Sequence, residues 1–278
     1  MAKTNQVSLY GMVMKLPKIN SDRTTASAVI MVMGADRETG GPNGQTRKDY
    51  PIIASKDPAI VEKMLEWKPN DIVSIKGAIV TKPVKNVTFC ERCGKENIEE
   101  GLFVYVTPIF VEKISSETTS DAAMESVYEH REISNELRVV GDLCTNPELV
   151  KFKRFNMCQY KLAVPRTYRV KGSTEEERTD FPMIKSYGAN AKEDLRRLKS
   201  GAVVLIDGFL QTRTVKKETT CQCGQTYSWK TSLMEVVPYE TEYLRGYITD
   251  KELGITDSEI AKETDEINLD ESNDVMDV

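Results

Sequence analysis

Histidine is nearly absent from this sequence, since His130 is the only one among 278 residues. Catalytic triads built on histidine, multi-histidine metal sites and most acid–base pairs therefore lack a required part. The sequence also has no glycine-rich phosphate loop of the Walker type. These absences argue against an enzyme, and we predict a protein without catalytic activity.

Long hydrophobic runs are absent as well. The longest apolar run covers residues 28–33, whereas a membrane-spanning helix needs about 20 residues. Residues 1–6 contain no apolar core of the kind that a secretory signal needs. We therefore expect neither a membrane span nor export, and we predict a cytoplasmic protein of a bacterial cell or a phage-infected host.

Charge is unevenly distributed along the chain. Residues 250–278 contain eleven acidic residues and two lysines, a net charge of −9, whereas the whole chain carries −5. Residues 1–249 are therefore mildly basic, at +4, which permits a nucleic-acid partner. The acidic end has too little apolar surface to offset the entropy of ordering, so we expect a disordered tail.

An internal repeat with an offset of about 130 residues organises the chain. Residues 49–53 (Asp-Tyr-Pro-Ile-Ile) match residues 180–184 (Asp-Phe-Pro-Met-Ile) at an offset of 131. Residues 72–77 match residues 203–208 at the same offset. Several landmarks in one order with one spacing indicate a tandem duplication, and we call its two halves the first and second copies.

Each copy is predicted to consist mainly of strands, because its segments are rich in Val, Ile, Tyr and Phe and bounded by Gly, Pro or Asn. A short helix follows Asp57 and Pro58, a typical helix start, and its counterpart covers residues 191–198. Three strands, a helix and two strands is the order of an OB-fold, a five-stranded Greek-key barrel. We predict a mainly β protein of two tandem OB-folds. The strands predicted for the first copy are residues 7–15, 28–33, 49–53, 72–81 and 102–114.

The predicted boundaries follow from these elements. Residues 115–135 are rich in Ser, Thr and Glu, so we interpret them as a linker with a helical turn near residues 124–128. The predicted units are residues 1–114 for the first OB-fold, 115–135 for the linker, 136–245 for the second OB-fold and 246–278 for the acidic tail.

A series of short motifs spans about 80 residues of the second copy. They are residues 139–143 (Val-Val-Gly-Asp-Leu), 146–149 (Asn-Pro-Glu-Leu), 160–164 (Tyr-Lys-Leu-Ala-Val), 179–181 (Thr-Asp-Phe), 198–201 (Leu-Lys-Ser-Gly) and 206–213 (Ile-Asp-Gly-Phe-Leu-Gln-Thr-Arg). In this order they resemble the bacterial single-stranded DNA-binding protein family, which phages also encode. The first copy is assigned to it mainly through the repeat.

The resemblance implies a protein that coats exposed single-stranded DNA during replication, recombination or repair. It implies stacking aromatics at Phe181 and Tyr187, and through the repeat at Tyr50. It also implies that a homodimer would supply the four OB-folds that such proteins commonly assemble. The acidic tail is similar to the tail with which the family recruits replication or recombination proteins, but residues 274–278 lack the family's terminal Pro-Phe.

A basic and aromatic segment supports nucleic-acid binding independently of the resemblance. Residues 150–171 contain seven basic residues, interleaved with aromatics, and no acidic residue, a composition that suits phosphates and unstacked bases. A solvated basic face is the alternative. Tyr160 alternates with apolar neighbours, so we expect it in the core. The predicted binding residues there are Lys151, Lys153, Arg154, Phe155, Lys161, Arg166, Tyr168 and Arg169, to which Arg213 and Trp229 near the end of the copy are added.

Two pairs of cysteines occupy equivalent loops of the two copies. Cys90 and Cys93 precede Gly94, as in a zinc knuckle, and Cys221 and Cys223 match them at offsets of 131 and 130. Two plus two thiolates would complete a tetrahedral structural zinc site. Disulfides and free thiols are the alternatives, of which a cytoplasmic compartment disfavours the first.

Two further interpretations remain open at this stage. Cys144 and Cys158 have no close partners in sequence and are expected to be small core residues. An RNA-binding protein or a protein-interaction scaffold is the alternative function, because OB-folds bind many kinds of ligand.

Overall fold

Strands dominate the computed structural model, which describes residues 4–34, 46–151, 156–166 and 179–254. The strands of the first copy are β1 (Asn5–Val13), β2 (Lys18–Ile19), β3 (Ala26–Met33), β4 (Lys48–Asp49), β5 (Ile52–Ser55), β6 (Asp71–Phe89) and β7 (Glu96–Ser116). Those of the second copy are β8 (Asn135–Leu143), β9 (Glu148–Lys151), β10 (Asn156–Pro165), β11 (Thr179–Asp180), β12 (Met183–Tyr187), β13 (Val203–Thr220) and β14 (Thr226–Arg245). The order matches strand for strand, which confirms the predicted mainly β fold of two OB barrels.

One helix packs against each barrel between its third and fourth long strands. In the first copy α1 (Pro58–Leu65) begins where the Asp57 carboxylate accepts a hydrogen bond from the Ala59 amide at 3.1 Å, as expected for a capping aspartate. Its counterpart α3 (Gly188–Arg197) buries Asp194 inside the second barrel. Tyr160 donates to that carboxylate at 3.2 Å and is 2% exposed, as predicted for a core residue. No helix in the described part of the chain is long and apolar enough to cross a membrane.

The two barrels share one continuous sheet. β1 pairs antiparallel with β8, so that Val7 lies opposite Leu137, and the strands run in the order β11-β10-β12-β14-β13-β8-β1-β6-β7-β5-β3-β2. Val7 and Leu137 are both buried in the core that extends across both copies. The tandem copies therefore face each other about a local two-fold axis near the β1–β8 pair.

Two long hairpins extend from the barrels, one from each copy. β6 and β7 form the first, and β13 and β14 form the second, so the strands continue well beyond the predicted limits at residues 81 and 102. At their bases, Gly77 and Gly208 mark register shifts in the ladders. A Cβ atom at either position would lie within 2.4 Å of a carbonyl oxygen on the paired strand, so both bulges require glycine.

The segment predicted as a linker, residues 115–135, packs on the first copy. It contains α2 (Ser120–Glu129) and a 3-10 turn (Arg131–Ile133). Ala123 and Val127 of α2 are fully buried against a small second core that includes Met12 and Met31. The helix is thus longer than the predicted turn, because its apolar stripe meets an apolar outer face of β1 and β3.

The structure differs from two predictions, the core position of Cys144 and the disorder of the start of the tail. Cys158 is buried as expected, but Cys144 is exposed just after β8 ends, so its predicted core position is wrong. The predicted tail begins with α4 (Asp250–Leu253), where Asp250 forms an ion pair with Arg197. The rest of the predicted disordered tail, residues 255–278, lies outside the described residues.

Candidate nucleic-acid interface and metal centre

Asp49 joins the two copies at a place away from the β1–β8 pair. It is fully buried at the end of β4. Its carboxylate accepts hydrogen bonds from the Thr212 amide at 2.6 Å and the Thr212 hydroxyl at 3.3 Å, both on β13 of the second copy. The same hydroxyl accepts from the Tyr50 amide at 2.8 Å. Tyr50 is therefore held against the base of the other copy's hairpin.

The repeat reproduces this contact in the opposite direction. Asp180 of the second copy accepts from the Thr81 amide on β6 at 2.8 Å, and the Thr81 hydroxyl accepts from the Phe181 amide at 2.8 Å. The matching Asp-aromatic-Pro segments of the sequence thus act as reciprocal anchors. We refer to the two contacts as the Asp49 junction and the Asp180 junction.

A guanidinium group balances each buried carboxylate. Arg47 lies 2.9 Å from Asp49 and remains 41% exposed, whereas Arg166 lies 2.6 Å from Asp180 and is buried. Arg166 was predicted to bind phosphate, and the structure instead commits it to an internal ion pair. Burial outweighs the Arg166 charge and the Thr81 amide, so the pKa of Asp180 is raised to about 6.

The predicted stacking aromatics differ in how much of their surface is open. Tyr50 is 40% exposed and Phe181 is 38% exposed, so each keeps part of its ring accessible while its backbone is fixed at a junction. Tyr187 and Trp229 are half-buried. Tyr50 and Phe181 are therefore the most exposed of the predicted aromatics that the structure describes.

Part of the predicted basic segment is exposed. Lys151 at the end of β9 and Lys161 on β10 are both on the surface of the second barrel. Lys161 corresponds to Val29 in the first copy, because β10 pairs with β12 in the same register as β3 pairs with β5. The remaining predicted residues Lys153, Arg154, Phe155, Tyr168 and Arg169 lie outside the described residues.

A polar cluster beside the Asp49 junction contains residues that the sequence did not single out. With its amide oriented so that the oxygen faces Arg47, the buried Gln211 carboxamide accepts from Arg47 at 2.8 Å, and the carboxamide lies 3.3 Å from the Tyr187 hydroxyl. Arg213 on the same face of β13 pairs with Glu235 at 2.8 Å. Arg47 carries no local motif, and Gln211 lies within the 206–213 motif without having been predicted as a site residue. Only the folded contact between the two copies brings them together.

The four hairpin cysteines converge where the tips of the two hairpins meet. The sulfur atoms of Cys90 and Cys223 are 3.6 Å apart, as are those of Cys93 and Cys221, and all four lie within 4.8 Å of one another. Sulfur atoms around a tetrahedral zinc ion with Zn–S bonds of about 2.3 Å are separated by about 3.8 Å. The cluster therefore has the donor set and the spacing of a four-cysteine metal site.

Hydrogen bonds around the cluster favour thiolate at some sulfurs and oppose it at others. The Tyr227 hydroxyl lies 3.0 Å from the Cys90 sulfur, and this hydrogen bond is the main reason that the pKa of Cys90 is lowered to about 6. The Lys95 amide lowers the pKa of Cys93, but contacts with the neighbouring thiols and desolvation outweigh it and raise the pKa to about 12. All four sulfurs could ligate a metal ion only as thiolates, because ligation requires the deprotonated form.

Positive-φ glycines shape the loops that carry the thiols. Gly94 and Gly224 have φ values of +68° and +84°, which permits the tight turns directly after Cys93 and Cys223. The Cys90 carbonyl accepts from the Gly94 amide, and the Cys221 carbonyl from the Gly224 amide, each at 2.8 Å. Both pairs of sulfurs are thereby directed to the same point.

Comparison with known proteins places the second copy in a family. The model of the Single-strand binding protein family matches residues 134–233. "Single-stranded DNA-binding protein 1" of Clostridium acetobutylicum is 30% identical over 82 residues, which are 29% of this chain and 73% of that protein.

Solved structures extend the similarity across both copies. A deletion variant of the single-stranded DNA binding protein from Thermus aquaticus aligns with a TM-score of 0.54 and 18% identity, covering 88% of this chain and 97% of that chain. The wild-type protein of the same organism aligns with a TM-score of 0.52 and 16% identity, covering 88% and 96%. At this identity the likeness shows the fold, and it includes both barrels.

Proposed function

The chain belongs to the single-strand binding protein family, and from this premise we propose that it is a non-catalytic protein that coats exposed single-stranded DNA. The observation that carries the proposal is the pair of half-exposed aromatic rings, Tyr50 and Phe181, fixed at the junctions between the barrels. Flat rings stack against unpaired bases of any sequence at about 1–3 kcal/mol per base.

Exposed cations on the second copy supply the charge that phosphates require. Lys151 and Lys161 lie on the second barrel, and Arg213 remains 42% exposed despite its ion pair with Glu235. Each cation that neutralises a phosphate releases counterions, so binding weakens as salt rises. Little base-specific readout is expected, because stacking and charge tolerate all four bases.

Its proposed cellular role is to protect single strands during replication, recombination or repair in the cytoplasm of a bacterial cell or a phage-infected host. The acidic tail would recruit other proteins of those processes. A homodimer would bring together four OB-folds. These roles follow from family membership, supported by the two barrels on one chain.

A structural zinc ion is proposed for Cys90, Cys93, Cys221 and Cys223. With four protein ligands no coordination position remains for water, so the ion would stabilise the contact between the hairpins and take no part in a reaction. The 3.6 Å separations between sulfurs support zinc over disulfides, whose sulfur atoms are about 2.05 Å apart.

A second candidate function, in which the first copy serves mainly in assembly, is favoured by α2. This helix covers Met12 and Met31 on the outer face of the first barrel, while the equivalent face of the second barrel carries Asp142 and Ala163. In that case the second barrel, with Lys161 exposed, would bind most of the nucleic acid.

Titration with poly-dT at two salt concentrations tests DNA binding, with a duplex of equal length and an RNA oligonucleotide as competitors. We expect single strands to bind far better than duplex, with an affinity that falls as salt rises. Equal affinity for duplex, or an affinity independent of salt, would overturn the proposal. A strong preference for RNA would indicate the alternative RNA-binding function.

Elemental analysis of purified protein tests the metal site, with Cys90→Ser and Cys221→Ser as variants from the two hairpins. We expect one zinc per chain in the wild type and its loss in both variants. Cys144→Ser is the matched control, because Cys144 is exposed and lies outside the cluster. Absence of zinc from the wild type, or its retention in either hairpin variant, would show that the site is wrong.

A further inference from the structure

An apolar patch lies on the arm of the first hairpin. Val87, Phe89 and Ile98 are 45%, 68% and 58% exposed. Val87 lies opposite Ile98 in the antiparallel ladder of β6 and β7, and Phe89 follows two residues after Val87, so the three side chains share one face. We call this face the hairpin patch. Exposed apolar side chains that are grouped rather than scattered indicate an interaction surface.

The second hairpin has the same pair of long strands but no such patch. At the three positions that correspond in register, it carries Glu218, Thr220 and Ser228. A polar face therefore suffices to form the arm, so its folding does not require apolar side chains there. The hairpin patch also faces away from the second hairpin, because Glu99 on the opposite face of the arm pairs with Lys217 of that hairpin.

Charge differs between the two arms as well. Residues 82–103 of the first arm contain four basic and four acidic residues, whereas residues 213–233 of the second arm contain four basic residues and one acidic residue. Phosphates are attracted to a net positive charge, which only the second arm carries. Glu96 lies directly across the ladder from Phe89 and places a carboxylate beside the patch. The hairpin patch is therefore suited to a protein surface rather than to the backbone of a nucleic acid.

The charged row beside the patch fits a second molecule of this protein. Lys85 and Glu100 lie opposite each other on the barrel side of the patch, 2.9 Å apart and both exposed. A two-fold axis parallel to the strands would place each row against the same row of the second molecule, with β6 and β7 exchanged. Lys85 of either molecule would then face Glu100 of the other, and Val87 would face Ile98. The contact would thus be complementary in both charge and apolar surface.

Building on the proposed function, we propose that the hairpin patch binds the same patch of a second molecule that occupies the neighbouring site on one single strand of DNA. Stable protein interfaces use about 20–30 residues from each side, so this small patch would not hold two free molecules together. Binding to one strand keeps neighbouring molecules at a high effective concentration, at which a small contact suffices. The patch therefore makes DNA binding cooperative.

Binding to long poly-dT and to a dT oligonucleotide just long enough for one molecule tests the proposal. We expect the wild type to bind the long strand about tenfold more tightly per site, since burial of the equivalent of about two methylene groups gives this factor. The triple variant Val87→Glu, Phe89→Thr, Ile98→Ser, which carries the residues of the second hairpin, should lose this difference and bind the short oligonucleotide like the wild type. Ile109→Ser is the matched control, because Ile109 is 56% exposed on β7 outside the patch.

Charge exchange tests the arrangement of the two molecules with the apolar side chains left in place. Lys85→Glu and Glu100→Lys should each reduce the tenfold difference, and the two changes together should restore it. Failure of the double variant to restore the difference would refute the exchanged arrangement of strands. Urea unfolding of every variant checks that the fold is retained.

The remaining outcomes separate this proposal from the proposed function. Equal binding of long and short strands by the wild type, or a triple variant that keeps the tenfold difference, would show that the patch does not join molecules. A triple variant that binds the short oligonucleotide less tightly than the wild type would show that the patch contacts DNA instead. If the wild type binds neither strand, the proposed function itself fails.

Discussion

The reciprocal anchors predict that one buried carboxylate stabilises the contact between the barrels. Replacing Asp49 with Ala removes the acceptor for the Thr212 amide at 2.6 Å and for the Thr212 hydroxyl, and it removes the ion pair with Arg47. We expect a substantial loss of stability, because the carboxylate is fully buried and accepts short hydrogen bonds.

The magnitude follows from these contacts. A hydrogen bond to a charged group contributes about 1.5–3 kcal/mol, and an amide left without its partner costs about 1–3 kcal/mol. Arg47 is 41% exposed and regains water, which reduces the loss. We therefore expect Asp49→Ala to lower the free energy of unfolding by about 3 kcal/mol, whereas Asp49→Asn, which keeps an acceptor, should cost about half as much.

Urea denaturation of wild type and variants measures this loss, and hydrogen exchange reports the Thr212 amide directly. Asp207→Ala is the control, because Asp207 pairs with the exposed Arg138 at 3.1 Å and such surface pairs contribute at most about 1 kcal/mol. If Asp49→Ala were no more destabilising than Asp207→Ala, the inferred role of the anchor would be refuted.

Three other results are expected. Phe181→Ala should weaken poly-dT binding by about 1–3 kcal/mol and leave the fold intact; a variant that melts much earlier yet binds normally would place Phe181 in the core. The raised pKa of Asp180, about 6 against an ordinary 3.8, means that the folded state holds this proton more tightly than the unfolded state. Its contribution to stability is thus present below about pH 4 and falls by about 3 kcal/mol as the pH rises through 6. Urea denaturation from pH 4 to 7 should show this trend in the difference between the unfolding free energies of wild type and Asp180→Asn. A difference that does not change with pH would contradict it. Deleting residues 255–278, which carry a net charge of −8, should leave stability unchanged and DNA affinity equal or higher, whereas a drop in melting temperature would indicate a structural tail.

The duplication, the class of fold and the two equivalent pairs of cysteines were all readable from the sequence alone. Strand alternation is visible wherever one face of a strand meets the core, as in β1, whose residues Val7 and Leu9 are buried. The repeat then extended the family assignment of the second copy to the first. It also placed two Cys-Gly turns at equivalent loops, so the sequence anticipated the four-cysteine cluster that the hairpins form.

The ends of the strands and helices could not be predicted where burial leaves no periodic pattern of apolar residues. Both faces of the hairpin arms are largely accessible beyond the barrels, so no alternation marked their full length, and β6 continues to Phe89. The length of α2 was underestimated because its stripe of small and medium side chains is buried only by Met12 and Met31 on other elements.

Tertiary structure alone decided which charged residues are available to a ligand. Arg166 belongs to an acid-free basic segment, yet it is buried against Asp180, which contacts Thr81 on the other copy. Arg47 attracted no attention in the sequence, yet it remains exposed beside Gln211, more than 160 residues away. A residue's charge is local information, whereas its solvation and its partner depend on surfaces that meet only when the two copies fold together.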